Sequence, residues 1–407
     1  MLCKVLRAER HELPALGWAF AYFFLLLCSY YLLRPVRDAL AVEAGKQALQ
    51  QLFTATFLVM LALVPVFGWL CARLPRAKLL PLIYGFFALN LALFAAAMQP
   101  MVFFVWLSVF NLFVVSVFWS FMSDVFDTPQ AARLYGSIAA GGSCGAIAGP
   151  LIAATSSLGS RGLLLLAAAL LVLSVACIAG LGAWSRRHPR QGQASEQPVG
   201  GSILAGARAA LSSPFLLAIC GYLLCYTMLS TALYFQQVEI VRASVPDAAE
   251  RTRFFARVDL AVNSLTLFIQ VFAFSRLTSL LGPIGMLALM PALSVAGFLW
   301  LGATPTLAAL VVFGVTRRVG EFAISKPARE ALFTVVPREE RYKAKNFIDT
   351  VVYRGGDALA GWIFAGPAAF LAAGVSMAWT GLAVFLGSRM KSWNAGSSSQ
   401  PSPQLRS

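Results

Sequence analysis

Twelve long apolar stretches, divided six and six by one polar segment, dominate this chain of 407 residues. The first runs from Leu16 to Leu33 and the last from Ala368 to Gly387. Each comes close to the ~20 residues that an α-helix needs to cross a ~30 Å hydrocarbon core. Spans are expected near 16–33, 51–72, 78–98, 101–123, 134–157, 162–184, 214–236, 254–274, 283–301, 304–324, 345–366 and 368–387. The fold class is therefore an all-α membrane protein with twelve transmembrane helices in two six-helix bundles. The bundles are expected over 1–184 and 214–393, joined by a cytoplasmic linker over 185–213 and followed by a disordered tail over 394–407. Both connecting segments are polar and rich in Pro, Gly or Ser, without helical periodicity. Proteins with this two-half layout are usually carriers, which bind substrate where the halves meet.

Composition agrees. Hydrophobic residues make up 59% and charged residues 12%, against ~25% charged in a soluble domain, so there is too little polar material to cover a water-facing surface. No cleavage site follows the first span, which reads as a retained anchor. The net charge of +15 is mostly topology, not a sign of nucleic-acid binding. With the amino terminus inside, and with Lys78 and Lys345 counted to the inner side and Arg257 to the outer, the inner segments hold 21 Lys and Arg and the outer ones 8. That bias puts both termini in the cytoplasm; the expected location is a bacterial inner membrane. One outer loop breaks the rule with Arg242, Arg251, Arg253 and Arg257. Either these draw in an anion, or Asp247, Glu250 and Asp259 neutralise them. Seven cysteines without CxxC spacing read as packing residues. His11 and His188 both fall outside the spans. No metal site, cofactor or catalytic constellation is expected, and the glycines of span five (Gly141, Gly145, Gly149) form a small-residue packing stripe, not a phosphate loop.

The charges that do enter the spans carry the functional argument, because each costs ~2.5–3.5 kcal/mol at mid-bilayer and must face protein or water. Arg354 and Asp357 lie about ten residues into span eleven at i,i+3 spacing, flanking Gly355 and Gly356. Arg34 and Arg37 share a face around Pro35, a fork suited to phosphate or carboxylate oxygens, with Asp38 beside them. Pro35 is expected to bend that helix. Span four carries Asn111, Ser116, Ser120 and Ser123 down to Asp124. Arg34, Arg37, Asp124, Arg354 and Asp357 are the candidate substrate-binding residues. Asp38, Arg317, Arg318, Glu321 and Lys326 are expected to form a gating or ion-pair network, which continues into Arg329 and Glu330.

Two loops narrow the family. GWLCARLPRAK (68–78) keeps a Gly-x4-Arg-x2-Arg-x-Lys skeleton that resembles the signature loop of the major facilitator superfamily, with Ala72 and Pro75 where Asp and Gly are usual. FSRLTSLLGPIG (274–285) is a degenerate copy in the equivalent loop of the second half. Within that superfamily the chain resembles the ATP/ADP translocases. The likeness lies in YYLLRPVRDALAVEAG (30–45), FWSFMSDVFDTPQAARLYGSIAAGG (118–142) and ISKPAREALFTVVPREERYKAKNFIDTVVYRGGDALAG (324–361), about a fifth of the chain. That family relies on two basic and two acidic positions. The first basic one falls on Arg37 and the first acid on Asp124, both preserved in sign. The second acid falls on Tyr234, with Glu239 the nearest carboxylate, and the second basic one on Asp357, a reversal, with Arg354 one turn earlier. The resemblance implies a nucleotide-binding secondary transporter of the ATP:ADP antiporter type, with ATP or ADP as cargo, working as a monomer in the lipid bilayer. The alternatives are a carrier or flippase of the same fold for another organic phosphate, carboxylate or lipid headgroup. A membrane-embedded enzyme is disfavoured, since the loops are short and the intramembrane polar residues reach into both halves.

Overall fold

The computed structural model describes residues 9–73, 76–188, 213–333, 347–364 and 369–398, with 208, 211, 336, 344 and 345. Most of the linker and the end of the tail lie outside the described residues, as do parts of the Tyr-Lys-Ala-Lys run and the Gly68, Arg76 and Lys78 side chains of the signature loop. The described residues are helical apart from short connections, and none of them is in a strand. In chain order the first helices are α1 (Leu13–Ala44), α2 (Lys46–Arg73), α3 (Arg76–Ala96), α4 (Pro100–Val125), α5 (Thr128–Thr155) and α6 (Gly159–Arg187). They continue with α7 (Pro214–Ser244), α8 (Ala248–Phe268), α9 (Phe274–Ala303), α10 (Leu307–Gly320), α11 (Lys326–Leu332), α12 (Tyr353–Ile363) and α13 (Ala369–Ser398). Among the described residues every expected span falls on helical structure, and eight helical segments, one of them the joined α8–α9 run, are each long and apolar enough to cross a bilayer.

Two boundaries differ from expectation. Spans eight and nine are joined without a loop: a π-helical turn, Ile269–Ala273, links α8 to α9, and the kink comes at Gly282, whose φ of 59° suits glycine. Pro35 does not interrupt α1, which stays helical to Ala44, so Arg34 and Arg37 sit inside a continuous helix. Two more π-turns, Glu321–Ser325 and Ile348–Val352, lead out of α10 and into α12.

The chain forms two compact units, one of residues 1–197 with 241–264, the other of 198–240 with 265–407. In the first, α1 packs on α5 so closely that a Cβ on Gly141, Gly145 or Gly149 would stand under 3.0 Å from the backbone oxygens of Phe20, Phe24 and Cys28. The glycine stripe is thus a packing seam. Beside it Tyr22, Phe23, Phe118 and Trp119 interlock, and the Tyr22 and Tyr84 hydroxyls are hydrogen-bonded to each other. The outward stripe of α3, Leu82, Phe86, Leu89 and Leu93, is 56–63% exposed, as a lipid-facing surface should be. A cavity of about 900 Å³ among α2, α3 and α4 is apolar in every lining residue but Gln51 and offers an anion no cationic group.

The starts of α1 and α5 are locked together by one carboxylate. Glu12, 1% exposed, accepts bonds from the Glu9 backbone N–H, from Gln130 Nε2 and from both terminal nitrogens of Arg133. Gln130 also completes a capping box with Asp127. Burial by itself would raise the Glu12 pKa, but these bonds outweigh it and hold the carboxyl below its ordinary value. A depressed carboxylate stabilises the fold above its unfolded pKa and loses that contribution as pH falls through the folded one. Glu12→Gln should therefore lower stability by about 2 kcal/mol near neutrality. In thermal unfolding in detergent, the gap from wild type should close as the pH falls below the ordinary carboxylate range. An equal gap near neutrality and below that range would show that the ionised pair contributes nothing.

Candidate functional site

Each unit carries one cluster of charges inside its helices. In the first, Arg37 turns to its neighbour Asp38, donating to Oδ1 from Nε at 3.0 Å and from Nη2 at 2.7 Å. Its guanidinium lies 5.2 Å from the centre of the Phe104 ring. Arg34 stands 4.0 Å from Asp38 and 3.4 Å from Asp259 of α8, which is 1% exposed. One turn further along α8, Asn263 Nδ2 donates to the Ala146 carbonyl of α5 at 2.8 Å. The fork expected from sequence is present, but two carboxylates balance its two arginines. Asp124 is not part of it. It is exposed in the last turn of α4, beside the Asp127 cap whose partner Gln130 reaches Glu12. From Glu12 to Arg34 is ~33 Å along α1 at 1.5 Å per residue.

The cluster of the second unit is built by α7, α10, α11, α12 and the π-turns. Asp357 is buried; Thr231 of α7 donates to its Oδ1 at 3.1 Å, and Arg354 lies 3.6 Å from Oδ2. The helices meet closely at Gly356, where any Cβ would collide with Thr227. Around the turn Glu321–Ser325, Arg329 donates to Glu321 Oε1 at 3.1 Å, both groups being buried. Arg317, 6% exposed, donates to the Ser230 hydroxyl and the Tyr226 carbonyl, each at 3.1 Å. Tyr226 stands between two guanidiniums, with Arg317 at 5.4 Å and Arg329 at 5.7 Å from its ring centre. Arg317 has no ion-pair partner among the described residues; its Nε and Glu321 Oε2 are buried without hydrogen bonds. Arg318 is half-buried and Lys326 exposed. A buried guanidinium held only by neutral acceptors leaves the cluster positive, a state that an anionic ligand relieves.

Of the residues expected in the gating or ion-pair network, the structure brings together Arg317, Glu321 and Arg329, leaves Lys326 exposed and pairs Asp38 with Arg37 in the first unit; it also brings together Arg354 with Asp357. It adds Tyr226, Ser230 and Thr231, which the sequence reading passed over. Their signal was Tyr222, Tyr226 and Ser230 at i,i+4,i+8 in an otherwise apolar helix. On the same helix, Tyr234 is half-buried and Glu239 exposed. The described cysteines carry no disulfide, and the described residues form no cluster of three or more metal-ligating side chains.

Residues 19–361 match the model of the Major Facilitator Superfamily. The chain belongs to that superfamily. Among solved major facilitator structures, a bacterial homologue of the human lysosomal transporter Spinster superposes with a TM-score of 0.59 at 15% identity, over 92% of this chain and 95% of its own. The nucleoside transporter NupG gives 0.58 at 12% identity, over 94% and 99%. A bacterial homologue of the iron transporter ferroportin gives 0.63 at 13% identity, over 93% and 98%. At such identities these likenesses concern the fold alone. No curated protein matches the sequence significantly. As a major facilitator, the protein is a multi-pass membrane protein and a secondary transporter of small substrates.

Proposed function

We propose that the protein carries an anionic metabolite by alternating access, most specifically a nucleotide or a related organic phosphate. The observation that carries the reading is Arg317: a buried cation whose hydrogen bonds go only to neutral oxygens, in a cluster where Glu321 and Asp357 already serve Arg329 and Arg354. Arg317, Arg329 and Arg354 against the carboxylates Glu321 and Asp357 favour an anion over a cation or a neutral sugar. In the first unit, Arg34 and Arg37 are balanced by Asp259 and Asp38. An incoming phosphate competes there with carboxylates already in place, which permits both binding and release. The translocase likeness implies a role for Asp124, but this residue lies at the far end of α4 from these arginines and outside the anion site they form. That likeness is also what favours a nucleotide over simpler anions. The same reading includes a monomer with six spans on each side of a cytoplasmic linker, both termini cytoplasmic, in a bacterial inner membrane, acting as a transporter and not as an enzyme.

Counterflow in proteoliposomes against labelled nucleotides, organic phosphates and carboxylates tests this directly. Nucleotides or organic phosphates should compete for uptake. Competition by a neutral sugar or a cation, with phosphates inert, would overturn the assignment.

A further inference from the structure

The two carboxylates in the second unit's cluster are not equally provided for. Asp357 has a partner at each oxygen, with Thr231 donating to Oδ1 at 3.1 Å and Arg354 standing 3.6 Å from Oδ2. Glu321 has a partner at one oxygen. Arg329 donates to its Oε1 at 3.1 Å, while Oε2 is buried without a hydrogen bond. An ionised carboxylate accepts on both oxygens, and a bare one away from water costs far more in the charged form than in the neutral acid. Arg329 is therefore what keeps Glu321 charged. The other groups that face it offer little help. Arg317 stands one turn earlier on α10, near but not bonded to it, and α11 adds the exposed Lys326. Tyr222 and Tyr226 come from α7 and Tyr353 from α12, phenols that stay neutral near pH 7. From α9 the same turn meets apolar Met286.

A phosphate settling on this cluster upsets the balance. Arg317, Arg329 and Arg354 outnumber Glu321 and Asp357 by one, whereas a phosphate carries close to two negative charges at neutral pH. Arg317 and Arg329 flank the same Tyr226 ring, so an anion drawn to the first competes with Glu321 for the second. Glu321 would then lose its donor and gain a negative neighbour. On the anionic cargo proposed above rests one further step: we propose that Glu321 takes up a proton as the phosphate binds, so that anion and proton are carried together. The proton comes from water, the new O–H bond forms at Oε2, and Arg329 passes from the carboxylate to the phosphate. Asp357, with both oxygens engaged, stays ionised. By linkage, each of the two ligands then strengthens the binding of the other.

Proton uptake by the full chain in detergent tests this. ADP, glycerol 3-phosphate and inorganic phosphate, each matched in pH, are added in weak buffer at about pH 7, where a phosphate is mostly dianionic. The pH change is read beside thermal unfolding of the same preparation. An anion that raises the melting temperature should draw roughly one proton per bound anion from solution in wild type. Glu321→Gln should draw almost none. Asp357→Asn, whatever its affinity, should keep the wild-type number of protons per bound anion. Should Glu321→Gln fail to fold, wild type labelled with 13C-glutamate serves instead. The infrared band of a protonated carboxyl that appears on anion binding should shift with that label, and not with 13C-aspartate. A stabilising anion that draws no proton, a Gln variant that draws as many as wild type, or a band that follows the aspartate label would overturn the coupling and leave the anion reading standing. If none of the three anions raises the melting temperature, the phosphate reading itself is wrong, and the proton has no anion to accompany.

Discussion

Arg317→Ala is expected to reduce apparent cargo affinity by ten- to hundredfold, the loss of about 1.5–3 kcal/mol that accompanies a missing charge-assisted hydrogen bond. The substitution also removes the donors to Ser230 and to the Tyr226 carbonyl and the cation over the Tyr226 ring. Some loss of stability therefore comes with it, about 1–3 kcal/mol for acceptors left buried. Arg317→Lys separates the two effects. It keeps the charge in the cluster but cannot reach both acceptors with a planar fork. If Arg317 serves the anion through charge, the Lys variant should recover much of the affinity while remaining less stable than wild type. If uptake follows melting temperature across both variants, Arg317 only braces α7 against α10, and the anion reading loses its main support. The measurement is counterflow uptake over a range of cargo concentrations, paired with thermal unfolding of the same preparations.

Legibility in the sequence followed the range of each interaction. The helices were legible because a span is declared by its own residues: about twenty apolar side chains in a row have few other solutions. The glycine stripe on α5 was legible for the same reason, since i,i+4 spacing fixes a shared face. So was Arg354 with Asp357, one turn apart. The π-turns were not, because one extra residue in a turn leaves no mark on composition or period. The join of α8 to α9 was missed for a related reason. SLLGPIG reads as a loop, yet helix continues up to Gly282 and resumes at once beyond it. Asp259 was visible only as one acid near four arginines; its pairing with Arg34, on a helix far away in sequence, depends on packing that no local pattern encodes. Arg317 was noted as a charge within a span, but that its hydrogen bonds go to neutral oxygens, with Glu321 near it and not bonded to it, is a property of the assembled unit.

The largest effect should come from Arg37→Ala. Two of its nitrogens bond one oxygen of Asp38, which is 4% exposed. Removing one partner of a buried pair costs about 3–5 kcal/mol, because the remaining charge stays desolvated. Arg34 stands 4.0 Å from Asp38, already engaged by Asp259 at 3.4 Å, and is poorly placed to substitute. Folded yield and uptake should therefore both collapse. Arg37→Ala/Asp38→Asn tells the two causes apart, since a neutral Asn needs no counter-ion. The double variant should regain most of the yield in detergent yet remain ten- to hundredfold weaker in cargo affinity, the share of the loss that belongs to the anion. Arg37→Lys should keep more uptake than either, as the translocase likeness implies for a position where a basic group suffices. Should the double variant regain full uptake as well as yield, Arg37 is a structural counter-ion to Asp38, and the anion is held without it.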